Sequence, residues 1–491
     1  MKRILVVLGS LLTGALLTAL TTYLLALNRW PDLEPWHRMV PKQELRADSN
    51  QDDWTLGKYL QLEDDLFSEV VRELEVEGVD RSEWSRFNPL SPTNPATFTV
   101  NWNRTFVLEP DEPRGLAVLV HGLSDSPYSM RALALILHRL GYVVYGLRVP
   151  GHGTVPGALT EVEWEDWRLA VQIVCHEVQA RRDEEQPFVL GGYSNGAALA
   201  VDYTLDSLDD EELPIPDRLI FLSPAFAVSK LAAFARWQLL LSRLPFLEKL
   251  AWNSVLPEYD PYKYNSFALN AARQIFRLTS RVDRRLQDLS DRGRMSELPP
   301  VLAIGSVVDA TVPAVASLSR WFGRLEGGHD ELVIFDVNRV AQAEMFLGPS
   351  VDILMTTLDE GHPYPFELTI VGNESEQTLD LIERVWRPGA LVPRQRSIAL
   401  SWPLGVFSLS HVAIPFPPED PIYGVGSSQQ LPFPFGRLEA RGENGVLTVP
   451  ITLLMRLRYN PFFSYVDQRV VRFVSPQASE AIESDSGSAV D

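Results

Sequence analysis

The sequence FVLGGYSNGAALA, at residues 188–200, decides the fold of this chain. Its first half is a short apolar run that predicts a buried strand, and its last residues favour a helix. Between them stands the pattern Gly-x-Ser-x-Gly, whose glycines allow the backbone to turn tightly around Ser194. A serine on such a strand–turn–helix junction stands at the carboxyl end of a sheet, where the N-terminus of the next helix favours negative charge. We therefore predict that Ser194 is a nucleophile.

Strand-like and helix-like segments alternate on both sides of this junction. Apolar runs predict strands at 97–108, 116–120, 142–147, 219–222, 300–305 and 332–335. Helical spacing of apolar residues predicts helices within 54–77 and at 129–140 and 161–179. This alternation predicts the α/β class, with a doubly wound, mostly parallel sheet that carries helices on both faces.

Changes in composition divide the 491 residues into segments. Large apolar residues such as Phe226, Trp237 and Trp252, without a strand pattern, interrupt the alternation and indicate a helical cap over the sheet edge. We expect a signal anchor at 1–30, an N-terminal extension at 31–96, a first core part at 97–224, the cap or lid at 225–297, a second core part at 298–474 with an insertion at about 340–405, and a disordered acidic tail at 475–491.

The N-terminal segment is expected to be a transmembrane helix. Residues 4–27 are uncharged and long enough to span a bilayer. Their length and the lack of a small-x-small cleavage site favour an uncleaved anchor over a cleaved signal peptide. Lys2 and Arg3 favour an N-terminus inside the cell, whereas basic residues after the run weaken that argument. We expect the catalytic part to be extracytoplasmic, in the periplasm if the source is bacterial.

Charge and cysteine content narrow the function classes. The net charge of −20 argues against nucleic acid as a partner. The single cysteine, Cys175, excludes an intrachain disulfide and lies on an apolar helical stretch, as a buried structural thiol does. No clustered His, Cys or carboxylate spacing and no dinucleotide glycine pattern is present, so neither a metal nor an organic cofactor is expected.

A nucleophilic serine needs a histidine base and a carboxylate that orients it. Asp309 follows the strand predicted at 300–305 and is our candidate carboxylate, although it could instead cap a helix that starts near Pro313. Asp336, at the end of the strand predicted at 332–335, is its rival. His411, after the strand-like residues 405–410, is the preferred base, and His362 in a turn is the alternative. His329 precedes a strand, at the wrong end of the sheet.

The oxyanion hole requires two backbone donors. We assign them to the amides of Asn195, at the helix N-terminus, and Leu123, in the loop after the strand that ends in His121-Gly122. The His121 side chain is expected to brace this loop rather than to react.

These motifs together resemble the α/β-hydrolase superfamily, in particular its monoacylglycerol lipase, lysophospholipase and carboxylesterase group. The matching motifs are VHGLSDSP at 120–127, RVPGHG at 148–153, GYSNG at 192–196 and DATVP at 309–313. The order Ser, Asp, His also matches. Two features depart from the group: about a hundred residues separate Asp309 from His411, and Ala197 replaces a glycine that often follows the serine turn.

The resemblance implies hydrolysis of carboxylic esters through an acyl-enzyme. The apolar cap favours a small lipophilic substrate similar to a monoacylglycerol or a lysophospholipid. An acyltransferase and an amidase or peptidase would use the same triad, so both remain alternatives. A membrane-anchored binding protein without catalysis is the alternative from another class, against which stand the candidates for every triad role.

Overall fold

The computed structural model describes residues 31–48, 54–77, 82–226, 235–244, 246–307, 321–325, 328–340, 363–425 and 457–475, besides Gly14 and Thr18. The predicted anchor, apart from those two residues, and residues 476–491 of the predicted tail lie outside this description. Within the described ranges, no helix is both long and apolar enough to cross a membrane.

A ten-stranded sheet forms the centre of the molecule. Its strands, in chain order, are β1 Phe106–Leu108, β2 Gly115–Val120, β3 Tyr142–Leu147, β4 Phe188–Tyr193, β5 Arg218–Leu222, β8 Val301–Ser306, β9 Glu331–Phe335, β10 Glu367–Asn373, β11 Asp380–Trp386 and β12 Arg394–Ser401. Their spatial order is β1-β3-β2-β4-β5-β8-β9-β10-β11-β12. The seven strands from β3 to β10 in this order pair in parallel, whereas β1, β11 and β12 are antiparallel to their neighbours. The predicted mostly parallel sheet is therefore confirmed.

Helices cover both faces of the sheet. They are α1 Pro35–Arg38, α2 Leu56–Glu77, α3 Arg131–Arg139, α4 Trp164–Arg181, α5 Asn195–Ser207, α6 Ala235–Leu241, α7 Leu269–Asp291 and α8 Phe463–Val474. Side chains of β2 alternate between the faces, as in any strand. Val118 packs into one core with Trp167 of α4, and Leu119 into the other with Leu133 of α3 and Val470 of α8. The sheet is thus doubly wound.

The segment between β5 and β8 contains helices α6 and α7, as predicted for a cap. It also contains a short hairpin of β6 Trp252–Ser254 and β7 Phe267–Ala268. The prediction of no strands in this segment is therefore wrong. Strands of two and three residues are too short to produce an alternating pattern in the sequence.

Two further strand predictions need correction. Within 97–108 the strand is confined to Phe106–Leu108, because Asn101 makes a turn in which its side chain accepts from the Asn103 amide. Residues 405–410 are not a strand, although they are largely buried. The pieces predicted at 367–371 and 397–400 are confirmed as parts of β10 and β12, and β11 was not predicted.

A buried ion cluster joins the N-terminal extension to the core. The Arg148 guanidinium, after β3, bonds Glu63 of α2 and Glu44, each at 2.9 Å. Glu44 also accepts from the Gly151 amide, and Tyr59 donates to the Arg148 carbonyl at 2.6 Å. All of these side chains are nearly inaccessible to solvent. Glu44, Tyr59 and Glu63 of the N-terminal extension are therefore an integral part of the core.

Candidate active site

Ser194 occupies a strained turn between β4 and α5. Its backbone has φ 52° and ψ −111°, a region that residues with a side chain rarely adopt. The amide of Ser194 donates to the Leu222 carbonyl at 3.0 Å, and its own carbonyl accepts from Ala197 and Ala225. These bonds fix the conformation, so the predicted turn geometry is present.

The two glycines of the pattern are required by close backbone contacts. A Cβ on Gly196 would collide with the Val120 carbonyl of β2, and one on Gly192 would collide with the backbone of the first turn of α5. Neither glycine has a positive φ, so space rather than backbone conformation requires them here.

The candidate oxyanion donors lie at the carboxyl edge of the sheet. Asn195 is the first residue of α5, where amides have no intrahelical acceptor. Leu123 lies in the loop after β2 and packs against Ala225 and Ile275. Among the backbone hydrogen bonds of the described residues that lie outside regular helices and strands, none has the amide of Leu123 or Asn195 as its donor. Such amides can donate to a bound oxygen.

His121 braces the loops around this edge, in the way that was expected. Its Nε2 accepts from the Val149 amide at 3.1 Å, while Nδ1 lies 2.8 Å from the Gly122 carbonyl and donates to it. Its ring also packs edge-on against His152. Burial lowers the pKa of both imidazoles, that of His152 to about 4, and the neighbouring His152 lowers that of His121 further. Both rings are therefore neutral near pH 7.

The segment between β5 and β8, which is the predicted cap, contacts the same loop. Lys263 Nζ lies 2.8 Å from Asp125 Oδ1, and the Tyr264 amide donates to the Ser124 carbonyl at 2.8 Å. Ser124 has φ 63°, a second strained serine. These contacts were not predicted, because no sequence pattern pairs residues that are 138 positions apart.

His411 lies at the same edge of the sheet as Ser194. It begins a short 3₁₀ turn, His411–Ala413, and is 7% exposed. Its ring centroid is 5.3 Å from that of Tyr193, the residue before Ser194. Its carbonyl also accepts a long hydrogen bond of 3.5 Å from Ser223, which follows β5. The described structure thus places His411 beside the serine turn, although strands β10, β11 and β12 separate it in sequence from β9.

Of the two candidate carboxylates, only Asp336 lies within the described residues. Asp309 and the alternative base His362 lie outside the described residues, but Val307, two positions before Asp309, is at the carboxyl edge and bonds the Phe335 carbonyl. Asp336 is 1% exposed, and its carboxylate accepts from the Arg339 guanidinium and the Val337 amide. Asp336 is therefore engaged in an ion pair. His329 is exposed at the amino end of β9, as expected.

The arrangement places a strained serine, the two candidate amides and a buried histidine at one edge of the sheet. Groups of these kinds are used in acyl transfer through an oxyanion. Among the residues described, no group of three or more His, Cys, Asp or Glu side chains could hold a metal ion.

The sheet order and the strained serine after β4 define an α/β-hydrolase fold. Residues 111–320 match the family model of serine aminopeptidase, S33, which confirms the resemblance to this superfamily. A search of curated proteins found no match.

Several solved structures are similar to the chain. One is from the metagenome-derived lipolytic enzymes LipS and LipT (19% identity, TM-score 0.37, 48% of this chain and 89% of that one). Another is the monoacylglycerol lipase of Paleococcus ferrophilus, with 21% identity and a TM-score of 0.36; the match covers 48% of this chain and 89% of that one. A third is a soluble variant of monoglyceride lipase from Saccharomyces cerevisiae, with 13% identity and a TM-score of 0.33; the match covers 47% of this chain and 82% of that one. Similarity at this level specifies no substrate.

Proposed function

We propose that this protein hydrolyses carboxylic esters of lipophilic acyl groups, with Ser194 as nucleophile, His411 as general base and Asp309 as the orienting carboxylate. The observation that carries the proposal is the backbone of Ser194, held at φ 52° and ψ −111° at the start of a helix. Strain of this kind is retained where the surrounding structure requires it, most often at functional sites. The matched hydrolase family model supports the reaction class.

In the proposed reaction, Ser194 Oγ attacks the ester carbonyl carbon and its proton passes to His411. The amides of Leu123 and Asn195 donate to the resulting oxyanion. The C–O bond to the alcohol then breaks, and the alcohol leaves with the proton from His411. Water attacks the acyl-enzyme, gives a proton to His411, and the carboxylic acid leaves as the proton returns to Ser194.

A fluorophosphonate probe tests the nucleophile. We expect one adduct on Ser194 in folded protein, none after thermal unfolding, and none in Ser194→Ala. Ser223→Ala is the matched control, because Ser223 is also buried with a positive φ of 43° at the same sheet edge. Labelling of Ser223 or of no serine in the folded protein would refute the proposal.

Ester turnover tests the base and the acid. We expect His411→Ala and Asp309→Ala to lower kcat by roughly 10³-fold or more, as removal of a triad member does. His362→Ala and Asp336→Asn are the comparisons. Loss of activity only in His362→Ala would transfer the role of base to His362.

Amide hydrolysis is the second candidate function, because the matching family model describes a serine aminopeptidase. The two substrates share the triad but differ in the leaving group. Comparing kcat/KM for p-nitrophenyl esters and aminoacyl p-nitroanilides separates them. The apolar cap surface, on which Leu240, Leu244 and Phe246 are 51–99% exposed, favours the lipophilic ester.

We also propose that residues 4–27, an uncharged run of 24 residues, anchor the protein in a membrane with its catalytic part outside the cytoplasm. N-terminal sequencing of the mature protein and proteolysis of intact cells, or of spheroplasts where the source has an outer membrane, test this. A mature start beyond Leu27, or a catalytic part that is cleaved only after the cytoplasmic membrane is lysed, would contradict it.

A further inference from the structure

A cavity of about 280 Å³ lies between helix α2 and residues 86–103, and its wall also includes Gly153 and Thr154. Phe67, Val70 and Leu74 of α2 form much of its apolar wall, and Phe87 belongs to the opposite side. Val71, which is 58% exposed, also lines the cavity and marks its opening to solvent. Neither Ser194 nor His411 lines it, so this cavity is distinct from the candidate active site.

A buried cation forms part of the wall. Arg86 is 2% exposed, and its guanidinium reaches the carbonyls of Lys263 and Gly153 and the amide oxygen of Asn103, each at 3.4 Å. Asn103 and Gly153 line the cavity as well. These three acceptors are neutral and the bonds are long, whereas a buried guanidinium usually pairs with an anion.

No carboxylate of the described chain is within ion-pair distance of Arg86. Glu258 is close enough for the charge of Arg86 to lower its pKa, but burial has the larger effect and raises that pKa to about 7. The Glu258 carboxylate is also occupied by the amides of Asn265 and Ser266. Arg86 can therefore accept a further anionic partner.

We propose that this cavity binds the carboxylate form of a single-chain fatty acid. The carboxylate pairs with the Arg86 guanidinium, whose planar donors match its two oxygens. The chain lies along the apolar side of α2, between Phe67 and Leu74. The volume is near the lower end of the roughly 300–1,000 Å³ typical of small-ligand sites, which fits one acyl chain rather than two. Glu75 lines the cavity but is exposed, so solvent screens its charge.

Calorimetric titration of the full chain with sodium decanoate tests the site, with decanol and decyltrimethylammonium as neutral and cationic controls. We expect saturable binding of decanoate and at least tenfold weaker binding of both controls. Equal binding of decanol, or no saturable binding of decanoate, would overturn the proposal. The test does not depend on esterase activity and can be repeated in Ser194→Ala with the same expected result.

Two variants of α2 separate this cavity from any other site for decanoate. Val71→Asp places a negative charge at the opening and should weaken binding at least fivefold. Val76→Asp, on the same helix, is 82% exposed and lies outside the cavity wall, so affinity should stay within twofold. Equal affinity in the two variants would overturn the proposal. Arg86→Lys keeps the charge without the planar fork and should bind several-fold more weakly; if it fails to fold, the α2 pair still decides.

Discussion

The conformation of Ser194 depends on two neighbours that have no side chain. Gly192 and Gly196 let β4, α5 and β2 approach each other closely, and the backbone between them is forced to turn at the serine. Because this crowding involves backbone atoms, a larger residue cannot be accommodated by a change of rotamer.

Gly196→Ala should therefore disturb the turn directly. We expect a loss of about 1–3 kcal/mol in the free energy of unfolding, as for other overpacked sites, with a large loss of ester turnover. Denaturant unfolding and kcat measure the two effects.

Gly57→Ala is the matched control, since Gly57 is also the second residue of a helix. A Cβ there would meet only the Thr55 hydroxyl at 3.9 Å, an ordinary contact distance. We expect unchanged activity and equal or slightly greater stability. Similar losses in both variants would show that helix position rather than crowding is responsible.

Helix α2 contributes charge to the core as well as apolar surface. Burial alone would lower the pKa of Arg148, but the carboxylates of Glu44 and Glu63 raise it above its ordinary value. Arg148 is the first residue of the loop that follows β3. The next residue of this loop, Val149, donates its amide to His121. The N-terminal extension thereby supports the loops around the candidate site.

Glu63→Gln should leave Arg148 with a single buried carboxylate. We expect the free energy of unfolding to fall by roughly 3 kcal/mol, near the lower end for a broken buried ion pair. Asp65→Asn, on the exposed side of the same helix, should change it by less than about 0.5 kcal/mol. Urea unfolding of both variants checks this, and an equal effect would contradict the buried cluster.

Strands with long apolar runs could be predicted from the sequence, whereas very short strands and a strand that contains charged residues could not. Strands β2, β3 and β5 lie within one residue of their predicted bounds, because strands buried on both faces are continuously apolar. Strand β11 contains two adjacent charged residues, Glu383 and Arg384, which interrupt its apolar run and obscured it. The strands of the hairpin β6–β7 are too short to produce a local pattern.

The same contrast holds for the candidate site. Ser194, Asn195 and Leu123 each lie in the sequence shortly after a predicted strand, so their place at the carboxyl edge could be inferred. The Lys263–Asp125 pair joins distant segments and could not be inferred from one sequence. The roles of Asp309 and His411 remain predictions, for which the position of His411 beside Tyr193 gives geometric support.

Across the whole molecule, buried titratable groups make stability depend on pH. Burial raises the pKa of Glu258 from 4.5 to about 7. Between these values the folded chain retains a proton that the unfolded chain has released, so this group makes stability fall as pH rises. The buried imidazoles of His121 and His152 act in the opposite direction, because their pKa values are lowered.

Glu258→Gln isolates the first contribution. Relative to the natural chain, the variant should gain up to about 3 kcal/mol between pH 4.5 and pH 8, with most of the change complete by pH 7. Unfolding free energies at several pH values measure this difference. A difference that is independent of pH would contradict the raised pKa.

The position of His411 has a consequence for biosynthesis. After Ser194 the ribosome makes 217 further residues up to and including His411 (411 minus 194), which at about 5–20 residues per second takes on the order of 10–40 seconds. Helix α8, which packs behind the same sheet, is made later still. A nascent chain with a complete serine turn therefore lacks its proposed base, and we expect hydrolytic activity only after His411 has been made.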